Sequence, residues 1–213
     1  MDNHITWYRN KQIERTMANL EKHNIGAFYV ADELALKEKI KQLIPEHSTV
    51  AVGDSVTLGE TGILELLRNG CYNFLDKYRQ GISREEKKAL YRQSFGADTF
   101  LASTNALTEE GELYNIDGNG SRVAAMIYGP EQVIIVAGIN KLVRNLEEAE
   151  KRTRHYAAPL DAKRLNKKTP CAALGYCVDC KSEERICNSF VVIKRQFIKD
   201  RIKVVIVGRE LGY

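Results

Sequence analysis

Nothing in this 213-residue chain offers an apolar run of bilayer-spanning length, which as a helix takes about 20 consecutive apolar residues. The opening stretch Met1 to Arg9 also lacks the charged-then-apolar layout of a secretory leader, so the expectation is a protein that stays in the cytoplasm and off the membrane. No block of one charge is present. The 32 Lys and Arg stand against 28 Asp and Glu for a net charge of +4, and the basic residues are spread along the chain rather than gathered into an arm. Nucleic acid is therefore not an expected partner. The Walker lysine and the glycine spacing of dinucleotide sites are missing. Four histidines, His4, His23, His47 and His155, stand singly, with no serine or cysteine arranged beside them as nucleophile and base, and no hydrolase triad is visible. Repeats and low-complexity segments are absent. The single tryptophan, Trp7, and the tyrosine-rich helices read as packing groups.

What is present is enough apolar material, 44% of the residues, for one substantial core. The expectation is one α/β domain over residues 1–213, with an inserted cysteine-rich loop at 169–188. Ile13, Met17 and Leu20 recur at helical spacing in a charged opening helix, residues 4–23. A strand at 27–30, a helix at 33–43 closed by Pro45 and a strand at 49–52 form a β-α-β unit, which implies parallel pairing. The spacing then predicts a helix over 58–69, a strand at 72–75 and a helix over 83–95 that starts on the capping box Ser83-Arg84-Glu85-Glu86. The alternation breaks at 98–116, where β-like stretches at 99–102 and 112–114 flank the turn 108–111 and predict a hairpin on the parallel sheet. A helix at 122–128, an apolar strand at 133–137, a charged helix over 140–156 and strands at 190–193 and 203–207 complete the pattern. The fold class is thus α/β, a mostly parallel sheet flanked by helices, with added antiparallel hairpins.

The strongest chemical signal is a set of four cysteines, Cys171, Cys177, Cys180 and Cys187, within 17 consecutive residues, with Cys71 alone upstream. Cytosolic thiols are kept reduced, so such a cluster suits ligands better than disulfides. Thiolates are soft donors for zinc or iron, and the two-residue gap of Cys177-Val178-Asp179-Cys180 lets one turn aim two sulfurs at one centre. Lys167, Lys168, Lys181 and Arg185 offset the charge of four thiolates. A zinc ribbon usually shows two such short gaps and this segment has one, while the close-set ferredoxin run ending in proline is also missing. An iron–sulfur cluster is the expected cofactor, with zinc the alternative. Reduced small hydrophobes or paired disulfides remain the reading without a metal.

Two further segments carry candidate ligand-binding residues. Gly53-Asp54-Ser55-Val56-Thr57-Leu58-Gly59-Glu60 follows an apolar strand and opens a helix, a place that suits an anion, although Thr57 and Glu60 also read as a capping box. Gly53, Ser55 and Thr57 are binding candidates there, and Glu60 and Glu109 are the carboxylate candidates for a general base or nucleophile. Asn105, Asn115, Asp117, Asn119 and Arg122 crowd one polar stretch that forms either turns and caps or a pocket wall, with Arg122 offering its planar fork to a carboxylate or phosphate. Lys141, just beyond the most apolar strand, faces either the same crevice or solvent.

Taken together, 53–58, 103–111, 115–123, 136–141 and the closing run 201–213 resemble the LUD (lactate-utilisation) domain family, lactate utilisation protein C-like, over most of the chain from about residue 20. The resemblance implies a fold similar to that of CoA transferases, ribose-5-phosphate isomerase and glucosamine-6-phosphate deaminase, with the loop at 53–58 beside the ligand. It implies a role in oxidising L-lactate to pyruvate alongside iron–sulfur partner proteins, with a small organic acid or other anion as ligand, and carries over no catalytic residue. The run Cys171 to Cys187 departs from the small lactate-utilisation subunit and resembles a cysteine-bearing branch. The sequence therefore leaves three readings: a redox-associated subunit or enzyme, an isomerase or acyl/CoA-transferase-like enzyme on a phosphorylated or CoA-linked substrate with structural cysteines, and a non-catalytic redox sensor or binding protein.

Overall fold

The computed structural model describes residues 3–213; Met1 and Asp2 lie outside them. The chain opens with α1 (Asn3–Lys22), which buries Ile13, Thr16 and Leu20 and leaves its charged face in water. It continues through β1 (Gly26–Val30), α2 (Glu33–Leu43), capped by the Asp32 side chain, and β2 (Thr49–Val52). Next come the short helices α3 (Val56–Glu60) and α4 (Ile63–Asn69), the two-residue β3 (Asn73–Phe74), α5 (Arg84–Gln93) with the expected Ser83/Glu86 capping box, and β4 (Thr99–Ala102). The hairpin β5 (Ala106–Thr108) and β6 (Leu113–Asp117), α6 (Ser121–Ile127) and β7 (Gln132–Gly138) follow. After β8 (Leu142–Val143) and α7 (Leu146–Arg152) come α8 (Ala158–Arg164), α9 (Pro170–Leu174), β9 (Ser189–Ile193) and β10 (Ile202–Val207).

Six strands form one sheet in the order β1-β10-β7-β4-β2-β3, and every pairing in it is parallel. The central strands are nearly continuous apolar runs because helices or a second sheet cover both faces. Val133, Ile135, Phe100 and Val204 point to the face shared with α1 and α6, whereas Ile134, Val136, Leu101 and Val205 point to the face under α2, α3 and α4. A second, mixed sheet, β8-β5-β6-β9, packs alongside and buries Ala106, Tyr114 and Ile116 with Ala149 of α7. Among the described residues no helix is long and apolar enough to cross a membrane.

Several local expectations are corrected. β1 and β2 are parallel but not neighbours, since β10, β7 and β4 fill the gap between them. The helix over 58–69 is two helices, because Gly62 takes a left-handed φ of 69° that a continuous helix cannot contain. The expected Thr57/Glu60 capping box does not form: Ser55 caps α3 by accepting from the Leu58 N–H, two residues earlier. The stretch 99–102 stays in the parallel sheet as β4, and the hairpin is built from β5 and β6 in the second sheet. The helix over 140–156 gives way to a single 3-10 turn at 139–141, β8, and a helix starting at the Asn145 cap. Its charged residues fit a helix, but the chain must first turn at the end of β7. Trp7 is 62% exposed rather than packed.

Candidate functional site

Three adjacent strands, β7, β4 and β2, end side by side, so the segments that follow them, 139–141, 103–105 and 53–57, share one edge of the sheet. Such carboxyl-end crevices are where open α/β sheets bind ligands. A cleft of about 790 Å3 lies there, lined by these segments, by α8, and by the end of the cysteine loop through Arg185, Ile186 and Cys187. Six cationic and five carboxylate side chains line it, so its charges nearly balance.

The most unusual of these groups is Lys141. It is 3% exposed, and its Nζ donates to Ser103 Oγ at 2.8 Å and Thr57 Oγ1 at 3.0 Å. No carboxylate among the described residues lies within ion-pair distance of it. Burial first, then the positive charges of Arg152 and Arg122, bring its pKa down to about 7, with Glu60 opposing them. The reading of Lys141 as a solvated helix residue is therefore overturned. The 3-10 turn after β7 points this side chain back over the strand ends, and Thr57, itself bonded to the Leu211 carbonyl, holds it.

Arg122 is as buried as its candidate role required, with its side chain 10% exposed, but its fork is already filled. Nη1 donates to the Ser103 carbonyl and Asn115 Oδ1, and Nη2 to Asn105 Oδ1 and the Ile116 carbonyl, while Nε faces Asp117 at 3.5 Å. The residue thus staples β4, β6 and the polar stretch together and does not reach out for a ligand. This explains Gly53: a Cβ there would stand 3.0 Å from Arg122 Cγ. Asn105, Asp117 and Asn119 line the cleft, and Asn115 is buried behind it with its Nδ2 lacking a partner.

Of the two candidate carboxylates, Glu109 is not brought to the cleft. It sits in the β5–β6 turn, where Arg15 and Gln12 of α1 hold it. Glu60 lies at the end of α3, is not among the residues lining the cleft either, and accepts from the Gly212 amide.

Sequence reasoning missed a cluster at another part of the cleft wall. Asp54 accepts from the hydroxyls of Tyr78 and Tyr91 and pairs with the buried Lys77 at 3.0 Å. Burial works to raise the Asp54 pKa, but Lys77, with Lys87 and Tyr78, outweighs it and holds the carboxyl below its usual value. Burial, then the Asp54 charge, pushes both tyrosines up, so they stay protonated donors. Lys87 lies over the Tyr78 and Tyr91 rings, and among the described residues it has no ion pair. Tyr78 and Tyr91 come from different segments, and no spacing rule links them. Ser103, in contrast, follows a parallel strand directly, and the rule that ligands bind at carboxyl ends would have found it.

The cysteine loop is pinned by Asp179, which pairs with Arg154 at 3.1 Å and Arg185 at 2.9 Å, and by Arg185, which donates to the Cys180 and Cys187 carbonyls. Asp179 takes φ 47°, and its N–H points at Cys177 Sγ at 3.4 Å, a turn suited to a thiolate. All five cysteines are free thiols. Burial raises the Cys187 pKa, with Arg185 opposing it and the thiols of Cys177 and Cys180 adding to it. Cys171 Sγ lies 3.3 Å from Thr169 Oγ1. Among the described residues no three of His, Cys, Asp and Glu are grouped to hold a metal ion.

Fold and cleft define an α/β protein with a crevice at the ends of parallel strands, lined in part by a buried lysine. Residues 13–207 match the family model described as LUD domain, and the chain belongs to the LUD-domain family. A crystal structure of a DUF162 family protein from Deinococcus radiodurans is similar in fold, with a TM-score of 0.56 and 13% identity, over 94% of this chain and 98% of that one. eIF2B delta from Chaetomium thermophilum is similar over a smaller part, with a TM-score of 0.38 and 18% identity, covering 56% of this chain and 50% of that one. A comparison with curated proteins gives no match.

Proposed function

We propose that the chain is an enzyme acting on a small organic acid or related anion, which binds in the cleft while the Lys141 amine takes and returns a proton beside the substrate's carbonyl or hydroxyl group. The observation that carries this reading is a buried amine, held by two hydroxyls and no carboxylate, on the wall of a cleft at the strand ends, where burial and neighbouring cations bring its pKa down to about 7. A base poised near the working pH is the most effective proton carrier, and an ordinary lysine is too protonated to serve. Lys87 and Lys167, both lining the cleft and without ion pairs among the described residues, supply charge for the ligand's anionic group. The volume exceeds what a three-carbon acid such as lactate fills, which favours a longer substrate or two molecules bound together.

A second reading, a redox component of lactate oxidation working with iron–sulfur partner proteins, draws support from Cys187, which lines the same cleft as Lys141. It requires Cys171, Cys177, Cys180 and Cys187 to gather their sulfurs around iron–sulfur or zinc. Iron, sulfide and zinc analysis of anaerobically purified protein decides it, and substoichiometric amounts of all three remove the metal from the account.

The test of the main reading is a thermal-shift screen with lactate, pyruvate, sugar phosphates and CoA esters, followed by solvent-deuterium exchange of the ligand that stabilises the protein. Lys141→Met is expected to lower exchange by roughly 100-fold or more. Exchange undiminished in that variant removes Lys141 from the chemistry, and a selective ligand with neither exchange nor turnover favours a sensor.

A further inference from the structure

We propose that Lys141 is a covalent site, its ε-amine condensing with the carbonyl group of an anionic ketone or aldehyde in the cleft to give an imine. This rests on the reading above that the cleft takes a small organic anion. It goes beyond proton transfer by naming the substrate class as oxo compounds.

The geometry carries it in three steps. First, both hydrogen-bond partners of Lys141 Nζ are hydroxyls, Ser103 Oγ at 2.8 Å and Thr57 Oγ1 at 3.0 Å. A carboxylate partner would hold the amine as an ammonium, whereas hydroxyls donate or accept and so suit both protonation states. Second, an ammonium has three N–H groups and these two contacts take two of them. The third is not used by either hydroxyl, and in the neutral amine that position carries the lone pair of a residue that lines the cleft. Third, the charged groups acting on the amine are Arg152 and Arg122, which disfavour its proton, and Glu60, which favours it. Nucleophilic lysines are activated by such desolvation and neighbouring cations.

The step balances without an oxidant or reductant. The nitrogen lone pair forms the N–C bond as the carbonyl π pair moves to oxygen. An amine proton passes to that oxygen through the Ser103 or Thr57 hydroxyl. Loss of the second amine proton and the new hydroxyl releases one water and leaves C=N. Protonated, the imine withdraws electrons from the adjacent carbon, the property an isomerase or a carbon–carbon lyase needs.

The test treats the full chain at pH 7 with pyruvate, glyoxylate or dihydroxyacetone phosphate in the presence of cyanoborohydride, which reduces imines to stable amines, and maps adducts by peptide mass. Formaldehyde in place of these probes reports whether the amine is reachable at all. At pH 7 an amine of pKa 7 is neutral about a thousandfold more often than a surface lysine, so labelling of Lys141 is expected to run on the order of 100-fold ahead of the other lysines. Lys141→Arg is expected to abolish the dominant adduct. The proposal is overturned if Lys141 resists formaldehyde, or if it accepts formaldehyde but forms no adduct with any of the three oxo probes. Deuterium exchange that persists without an adduct overturns the imine alone and leaves the proton-transfer reading standing. An adduct without exchange supports the imine and removes the base role.

Discussion

The Gly212 amide donates to Glu60 Oε2 at 2.7 Å, tying the segment after β10 to the end of α3. Gly212 itself is left-handed, with φ 55°, and a Cβ there would stand 2.6 Å from Thr57 Oγ1 and 3.6 Å from Lys141 Nζ. Glu60 therefore acts on the cleft twice, by anchoring this segment and by its charge. Because that charge favours the protonated amine, Glu60→Gln is expected to lower the Lys141 pKa further. Carbon NMR of reductively methylated protein reads the titration directly, and a pKa that rises instead would contradict the electrostatic account.

Lys141 also sets a pH dependence of stability. An unfolded lysine titrates near 10.4, and in the fold this one titrates at about 7. Between those values the unfolded chain holds the extra proton, so stability rises with pH across the window and the penalty is complete below pH 7. Its size is on the order of 5 kcal/mol. Lys141→Met is expected to be more stable than the wild type at pH 6, with the advantage shrinking towards pH 10. Urea midpoints at pH 6, 8 and 10 check this, and a difference that stays flat with pH would sink it.

Arg122 is expected to be indispensable to the fold rather than to ligand affinity. Arg122→Met removes the guanidinium donor from Asn115 Oδ1, from the Ser103 and Ile116 carbonyls and from Asn105 Oδ1, which keeps only the Ile116 N–H. The expected loss is about 3–5 kcal/mol. Arg122→Lys is expected to recover little of it, since one ammonium cannot reproduce a planar fork with donors on two sides. Denaturant unfolding of both variants measures the effect.

Glu109 serves as the contrast. It holds α1 through Arg15 and Gln12, away from the cleft. Glu109→Gln is expected to cost about 0.5–1 kcal/mol, in the range of a partly exposed ion pair, and to leave ligand-induced thermal shifts unchanged. A lost thermal shift would show that this turn communicates with the cleft.

The apolar runs at 133–137 and 203–207 announced buried parallel strands because both faces of those strands are covered, which leaves no alternation to confuse the pattern. The hairpin turn at 108–111 was legible from its own residues, but which strands it joined was not. β4 and β5 are separated only by Ser103, Thr104 and Asn105, and the chain changes sheets in that interval. At the site, the segments 53–57, 105–122 and 139–141 were visible as polar residues following apolar strands. The Asp54, Lys77, Tyr78 and Tyr91 cluster was not, since its members meet only after α5 folds back.

The sequence by itself determined the α/β class, the Ser83/Glu86 cap, the family and the clustering of four thiols along the chain, because each depends on neighbours in sequence. Only the tertiary structure decided the roles of the charged groups. It placed Arg122 among acceptors that fill its fork and Glu109 against α1, and it enclosed Lys141 with two hydroxyls and no carboxylate. Desolvation and the arrangement of distant charges set a side chain's chemistry, and neither quantity exists until strands far apart in sequence lie side by side.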